Sequence, residues 1–344
     1  MASPQPTGLS ARAPGRKIIS IVVPAFNEEA CVDELASRLQ TVFAGLGPNY
    51  DFEAIIVENG SVDRTYERLL AIRAADSRFK ILRLSRNFGA EGAATAGLRR
   101  ATGDAAVLMC ADLQDPPEVI PRFIEAWERG YDNVYGIITK RTDESALRKI
   151  ATRGFYWLLN KLSEHQTPRN VSDFRLVDKR AYTSLNLMRE RHRMMRSMWT
   201  WLGFASIGVE HERPARFGGT STYAFFRNVK FALRGIMASS IAPLKIIPLF
   251  GLGLSALSFV ALPVLAIVWF VVGVPFAGFG SLVALLLALF GLLFLFLGML
   301  AEYVGMIFDE VRARPSFVLW AEHGFGESTD PLEEELIGVR SGLA

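Results

Sequence analysis

Charge is missing from one long stretch of this 344-residue chain: between Ile246 and Ala301 there is no Asp, Glu, Lys or Arg. The 38 Lys and Arg and the 35 Asp and Glu all lie elsewhere, so the remainder has an ordinary soluble composition although half of all residues are apolar. That segregation excludes both a wholly soluble protein and a many-helix transporter. Cysteine is scarce as well. Cys31 and Cys110 give no disulfide framework and no zinc spacing, which fits a reducing compartment. The net charge is only +3 and no basic stripe is interleaved with aromatics, so nucleic acid is not expected as a partner. There is no P-loop, no dinucleotide fingerprint and no internal repeat. Residues 1–16 lack an apolar core and are rich in Pro, Ala, Ser and Gly, so they read as a flexible tail rather than a signal peptide.

From Lys17 onward short β-branched runs recur at Ile18–Val23, Ala54–Val57, Lys80–Leu84 and Ala105–Met109. Segments with helical spacing lie between them, including Glu28–Phe43 and Thr65–Ala74. Strands alternating with amphipathic helices predict an α/β domain with a mostly parallel sheet over residues 17–222. The uncharged run of 56 residues is too long for one span, since as a single helix it would measure about 84 Å against about 30 Å of hydrocarbon. Gly273, Pro275, Gly278 and Gly280 mark a break, giving spans near Ile247–Val272 and Ser281–Tyr303 within residues 245–310. Lys245 precedes the first span, Arg312 and Arg314 follow the second, and the connection carries no charge. The positive-inside rule then puts the large domain, both termini and the 311–344 tail in the cytoplasm, on an inner or plasma membrane. Residues 223–244 alternate Phe225, Phe226, Val229, Phe231 and Ile236 with Arg227, Lys230 and Arg234. This pattern predicts an amphipathic helix, either lying on the membrane surface or packing against a core.

Ligands of open parallel sheets bind beyond the carboxyl ends of the strands. Four polar clusters sit at those ends: Pro24–Glu29, Glu58–Thr65, Ser85–Gly89 and Cys110–Pro117. Singly, Asn27 or Ser61 is explained as a helix cap, and Asp115-Pro116-Pro117-Glu118 as a helix start. Together they predict a site.

The text Ile21-Val22-Val23-Pro24-Ala25-Phe26-Asn27-Glu28, Leu84–Gly89, Ala111–Glu118, Asp173-Phe174-Arg175-Leu176, Glu302-Tyr303 and Arg314-Pro315 resembles family-2 glycosyltransferases of the polyprenyl-phosphate type, such as bactoprenol glucosyltransferases and dolichyl-phosphate mannose synthases. The resemblance implies a GT-A, Rossmann-like domain followed by an amphipathic helix and a two-helix transmembrane hairpin. It also implies inverting transfer of a sugar from a nucleotide diphosphate to a membrane prenyl phosphate, and assembly as a homo-oligomer, a tetramer. UDP-hexose is the default donor, with GDP-mannose as the alternative. Pro24, Phe26 and Glu28 would hold base and ribose beside Val57 and Asn59, with Cys110, Ala111 and Asp112 along the donor. Asp112 and Gln114 would coordinate Mg or Mn, a hard cation suited to diphosphate oxygens. Lys140, Arg141, Arg175 and Arg216 would face phosphates. Asp173 would act with Asp112 in catalysis, as a base, as an orienting or metal-linked group, or merely as a structural cap.

Four positions depart from the family pattern. Cys110 replaces the first Asp of the metal motif, Glu58-Asn59 replaces Asp-Asp, Ile138 replaces an Arg, and Thr222 replaces a Lys. Each change removes a group that would touch metal, base or phosphate, and Cys is a soft ligand ill-suited to Mg. Besides an active transferase, the sequence therefore admits a membrane-anchored nucleotide-sugar binding or partner module. A transporter or flippase component fits poorly, since no intramembrane charge precedes Glu302.

Overall fold

In the computed structural model the described residues are 16–47, 49–139, 171–188, 190, 193–214, scattered positions between 247 and 271, and 278–326. The chain divides into two compact units, one of residues 1–156, 165–224 and 315–344, the other of 157–164 and 225–314. The apolar runs of the first unit form strands β1 (Lys17–Ala25), β2 (Tyr50–Glu58), β3 (Phe79–Leu84), β4 (Ala105–Leu108), β5 (Asn133–Ile138), β6 (Val171–Asp178), β7 (Ser206–His211) and β8 (Leu319–His323). Helices α1 (Val32–Leu46), α2 (Thr65–Ala75), α3 (Gly89–Arg100), α4 (Ile120–Glu128), α5 (Lys179–Leu187) and α6 (Met195–Trp201) connect them. The strands make one eight-stranded sheet in the order β7-β5-β6-β4-β1-β2-β3-β8. It is mostly parallel, and only β6 and β8 run against the rest.

Alternation along the strands feeds two cores. Ile19, Ile21 and Val23 of β1 join Phe174 and Leu176 of β6 against α1 and α4, where Phe43, Phe123 and Trp127 are fully buried. Val22, Leu108 and Val177 face the other way, against Leu98 of α3, Leu185 of α5 and Trp199 of α6. With both faces covered, the strands read as continuous apolar runs. Each fully buried side chain of the Phe or Ile type contributes about 1.5–3 kcal/mol of transfer free energy. Helix α3 lies flat on its face because Gly92, Ala93, Ala94, Ala96 and Gly97 are small. A Cβ on Gly97 would run into Val22 Cγ1 and come within 3.1 Å of Val57 Cγ2.

Three boundaries differ from expectation. Helix α1 begins at Val32 rather than Glu28, because Asn27 adopts a left-handed φ of 55° and the Glu28 and Glu29 N–H groups bond across to Thr65 and Asp63. Within the expected C-terminal tail, Leu319–His323 is an edge strand antiparallel to β3, and Phe317 is buried under α3. In the second unit, helix α7 (Phe279–Val311) runs past the expected end at Tyr303, so the apolar stretch of Leu289–Val311 carries Glu302, Asp309 and Glu310 near its end. By length and composition α7 suffices to cross a membrane, and Leu285, Phe290, Phe294 and Phe308 on it are exposed. Residues 1–15, the 223–241 amphipathic segment and most of the first span at 247–272 lie outside the described residues.

Replacing Gly97 by Ala should destabilise the fold by about 1–3 kcal/mol through overpacking, although Ala is favoured over Gly inside a helix by about 1 kcal/mol. Thermal melts of the purified chain check this, and an unchanged or higher Tm would contradict the tight α3–sheet contact.

Candidate active site

The chain leaves β1 toward β2 and β3 on one side, then returns to place β4 on the other, so the sheet reverses direction of growth between β1 and β4. Ligands of open sheets bind outside the carboxyl ends at such a reversal. Pro24–Glu29 follows β1 there, and Cys110–Asp115 follows β4.

The β1 loop is locked onto the β2 loop. Asn27 N donates to Ser61 Oγ at 3.0 Å, and Asn27 Oδ1 accepts from Val62 N at 3.0 Å. Glu28 N donates to Thr65 Oγ1 at 2.9 Å and Glu29 N to Asp63 Oδ2 at 3.2 Å. These bonds leave Phe26 partly exposed, at 37%, and Pro24 half-buried. The β2 loop is bolted in turn to the β3 loop. Buried Asn59 donates from Nδ2 to Asn87 Oδ1 (3.2 Å) and to the Gly89 carbonyl (3.1 Å), while its Oδ1 accepts from Phe88 N (2.9 Å). Both N–H groups of the Asn59 amide are thus engaged inside the protein. Gly60, at φ 73°, sits so close to Arg86 that a Cβ would strike that residue's backbone. The Val57 side chain is fully buried in the core. Glu58 is also fully buried. It accepts from the Ser61 N–H and pairs with Arg83 Nε at 3.1 Å, and the Arg83 guanidinium stacks over Tyr66 at 4.1 Å. The acid at the expected base-binding position is therefore neutralised from within.

Beyond β4 the charges converge. Asp115 is buried, accepting from Cys110 N at 3.0 Å and from Ser172 Oγ of β6 at 3.3 Å. Burial pushes its carboxyl above the usual range, although the Cys110 N–H opposes the shift. Asp112 is buried, the following Leu113 takes a left-handed φ of 60°, and Asp112 Oδ1 accepts from Gln114 N at 3.2 Å. Burial holds the half-buried Cys110 thiol well above its ordinary value, and the carboxylates of Asp115, Asp112 and Asp173 push it further. Cys110 here is a protonated, neutral neighbour of the acids rather than a thiolate ligand. Arg213, just after β7, donates to Gln114 Oε1 at 2.9 Å, so a cation stands on the expected metal-ligand side chain.

Asp173 and Arg175 point to one face of β6. The Asp173 side chain is mostly exposed and is held by Arg196 of α6 through Nε–Oδ1 at 3.1 Å and Nη2–Oδ2 at 2.8 Å. Arg175 is buried, lies 5.7 Å from the Trp199 ring and donates to the Ser172 carbonyl at 3.4 Å. Burial pulls its guanidinium down to about 10, still charged at neutral pH. Glu91 of α3 belongs to the same neighbourhood. Burial pushes it up to about 7, against the Met195 N–H that it accepts, and Asp173 adds to the rise. Glu91, Arg86, Phe88 and Arg193 line a cleft of about 250 Å³ at the end of β3, closed by Pro315 and Ser316. Lys140, Arg141, Arg216 and Thr222 lie outside the described residues; Ile138 is buried at the end of β5.

The structure thus joins the first three polar clusters by hydrogen bonds and gathers Cys110, Asp112, Asp115 and Asp173 into one electrostatic neighbourhood. Sequence reading did not single out Arg196, Arg213, Glu91 or Arg193. None of them belongs to a motif, and each meets its partner only through the fold.

Residues 20–185 match the family model described as glycosyl transferase family 2. The chain is 35% identical over 301 residues to an uncharacterized glycosyltransferase, sll0501, of Synechocystis, covering 88% of this chain and 94% of that one. It is 35% identical over 305 residues to the bactoprenol glucosyl transferase of Shigella phage SfII, with 89% and 98% covered. A solved structure of Mycobacterium tuberculosis glucosyl-3-phosphoglycerate synthase, in complex with Mn2+, UDP and phosphoglyceric acid, superposes with a TM-score of 0.43 at 17% identity over 65% of this chain and 77% of that one.

Glu91 keeps its proton to higher pH in the folded chain than the ordinary value of 4.5, so the folded state binds the extra proton between about 4.5 and 7. Stability should decline as pH rises across that window. In Glu91→Gln this decline should flatten, a change read from Tm at pH 5 and pH 8.

Proposed function

The chain belongs to glycosyl transferase family 2 and is a glycosyltransferase, and from that premise we propose that it moves a hexose, with inversion, from a UDP-sugar to a polyprenyl phosphate held in the membrane. The observation that carries this reading is the gathering of Asp112, Asp115 and Asp173 beside Cys110 at the β1–β4 reversal. The bactoprenol glucosyl transferase names of relatives matched over nearly their whole length support the lipid acceptor.

In this reading Phe26 offers an exposed aromatic face to the base, and Pro24 and Glu28 flank it. The residues present fit a divalent cation. Asp112 would supply one hard carboxylate and the nearby acids a negative field, Gln114 would add its carbonyl oxygen on releasing Arg213, and the remaining ligands would come from the donor diphosphate. Among the described residues no group of three or more Asp, Glu, His or Cys is arranged as a ready-made metal cage. The bound cation would neutralise charge on the departing diphosphate. Arg213, standing on Gln114, adds a fixed positive group to the same end of the donor.

The acceptor oxygen of a phosphate monoester is already largely ionised near neutral pH, its second pKa being about 6. Asp173 is therefore not needed as a base; its two-point grip on Arg196 holds that guanidinium where it receives the phosphate and orients it in line with the anomeric carbon. As the new bond between acceptor oxygen and anomeric carbon forms, the bond to the nucleotide diphosphate breaks on the opposite side. Lys140, Arg141 and Arg216 are the proposed phosphate contacts on the acceptor side. A prenyl chain stays in the bilayer, since each buried methylene is worth about 0.8 kcal/mol. Helix α7 and the apolar run 247–272 form the proposed hairpin that keeps the domain on the cytoplasmic membrane surface.

The internal pairing of Glu58 and the protonated Cys110 favour a second reading, a nucleotide-sugar binding module without turnover. Detergent-solubilised chain supplied with undecaprenyl phosphate and radiolabelled UDP-hexoses or GDP-mannose distinguishes the two. Lipid-linked product with a UDP-hexose, abolished by EDTA, is expected. In Asp112→Ala it should fall at least about a hundredfold, on the scale of losing a preorganised charge partner. Nucleotide binding without lipid-linked product on any donor would leave only the module.

A further inference from the structure

Arg196 lies in the first turn of α6, and two side chains of α3 hold the start of that helix. Glu91 Oε1 accepts the N–H of Met195, the first residue of α6, at 3.3 Å. One turn further along α3, Thr95 Oγ1 donates to the Glu91 carbonyl at 2.7 Å and accepts from Arg193 Nη1 at 3.2 Å. Arg193 spends three further N–H groups on the carbonyls of Leu185, Met188 and Glu190. The segment entering α6 is thus pinned to α3 at Arg193 and Met195, and the residue after Met195 is the one that grips Asp173 with two nitrogens.

Glu91 is a poor choice for this task on stability grounds alone. A largely buried carboxylate that accepts one long hydrogen bond does not recover its desolvation cost, and its rise to about 7 expresses that cost. The charged groups facing it are Arg193 and Arg196 from the α6 segment and Asp173 from β6. A carboxylate retained at a loss beside an exposed acid indicates a functional demand.

We propose that Glu91 is a positioning residue for sugar transfer: by fixing the N–H of Met195 it sets Arg196, and with it the aim of the Arg196–Asp173 pair whose guanidinium meets the acceptor phosphate. The inference deepens the transferase reading above and rests on the role given there to Asp173. It predicts a signature that a residue merely supporting the fold would not give, because the effect must pass through Arg196.

The test is a double-mutant cycle on the full-length chain in detergent, with kcat and donor KM read from lipid-linked product. Glu91→Ala should lower kcat about tenfold with donor KM within about twofold, the pattern of a group that acts after donor binding. Glu91→Gln keeps an acceptor for the Met195 N–H and should stay within about threefold of wild type. Glu91→Asp, which withdraws the acceptor while conserving charge, should fall with Glu91→Ala and serves in its place should that variant fail to fold. In an Arg196→Ala background, removing Glu91 should cost nothing further, since coupled residues are not additive. Losses that add across the cycle, or a Glu91→Gln as impaired as Glu91→Ala, overturn this inference in an active enzyme and leave the transferase reading standing. A wild-type chain that makes no lipid-linked product overturns that reading and this one with it.

Discussion

Buried acids at the carboxyl edge of a parallel sheet set the terms for the rest of this molecule. Glu58, Asp112 and Asp115 are all nearly or fully buried within a few residues of strand ends, and each must be satisfied where water is scarce. Glu58 is answered by Arg83 and a backbone N–H, Asp115 by the Cys110 N–H and Ser172, and Asp112 by the Gln114 N–H. Because the answering groups are N–H groups of the same loops and side chains of the neighbouring strands β3 and β6, satisfying the acids also fixes the loops. The amide of Asn59 extends the same logic without charge, tying the β2 loop to the β3 loop through three hydrogen bonds.

The two ends of that edge are treated differently. Toward β2 and β3 the acids and amides are consumed by internal partners. Toward β4 and β6, Asp112, Asp115 and Asp173 accumulate negative potential around the neutral Cys110, compensated by Arg196 and Arg213 from later in the chain. Removing the family's Asp at position 110 relieves this crowding. A fourth carboxylate beside Asp115 would raise the cost of ionising the rest, whereas a neutral thiol adds none. Cys110 therefore has a local electrostatic rationale, and under the proposed function it leaves the cation to Asp112 and the donor.

Much of this was legible in the sequence. The β-branched runs located β1 to β4, and the polar clusters do follow their carboxyl ends, because strand period and strand-end chemistry are local properties. Val57 illustrates a limit. Motif position put it beside the ligand, but only the alternation of β2 against α3 decides that its side chain is buried. The late start of α1 was hidden because its cause is a set of bonds to Ser61, Asp63 and Thr65, more than thirty residues away. Strand β8 was unreadable for a similar reason. Five residues after a long apolar helix carry no signal until β3 offers them an edge.

The residues that sequence reading missed share a physical trait that explains the omission. Arg196, Arg213 and Arg193 are cations whose meaning lies in the acid or carbonyl they meet, and no pattern of spacing encodes a partner that the topology supplies from another strand. Asp173 shows the consequence. As a motif residue it could be assigned to base, orienter or cap. With both its oxygens engaged by Arg196, and with the proposed acceptor a phosphate already ionised near neutral pH, holding that guanidinium is the role that requires least. The geometry that selects among these roles is set by α6, a helix of seven residues whose own sequence carries no site motif. Its position depends in turn on small residues that let α3 settle onto the sheet, so the packing of Gly97 and the aim of Asp173 belong to one chain of causes.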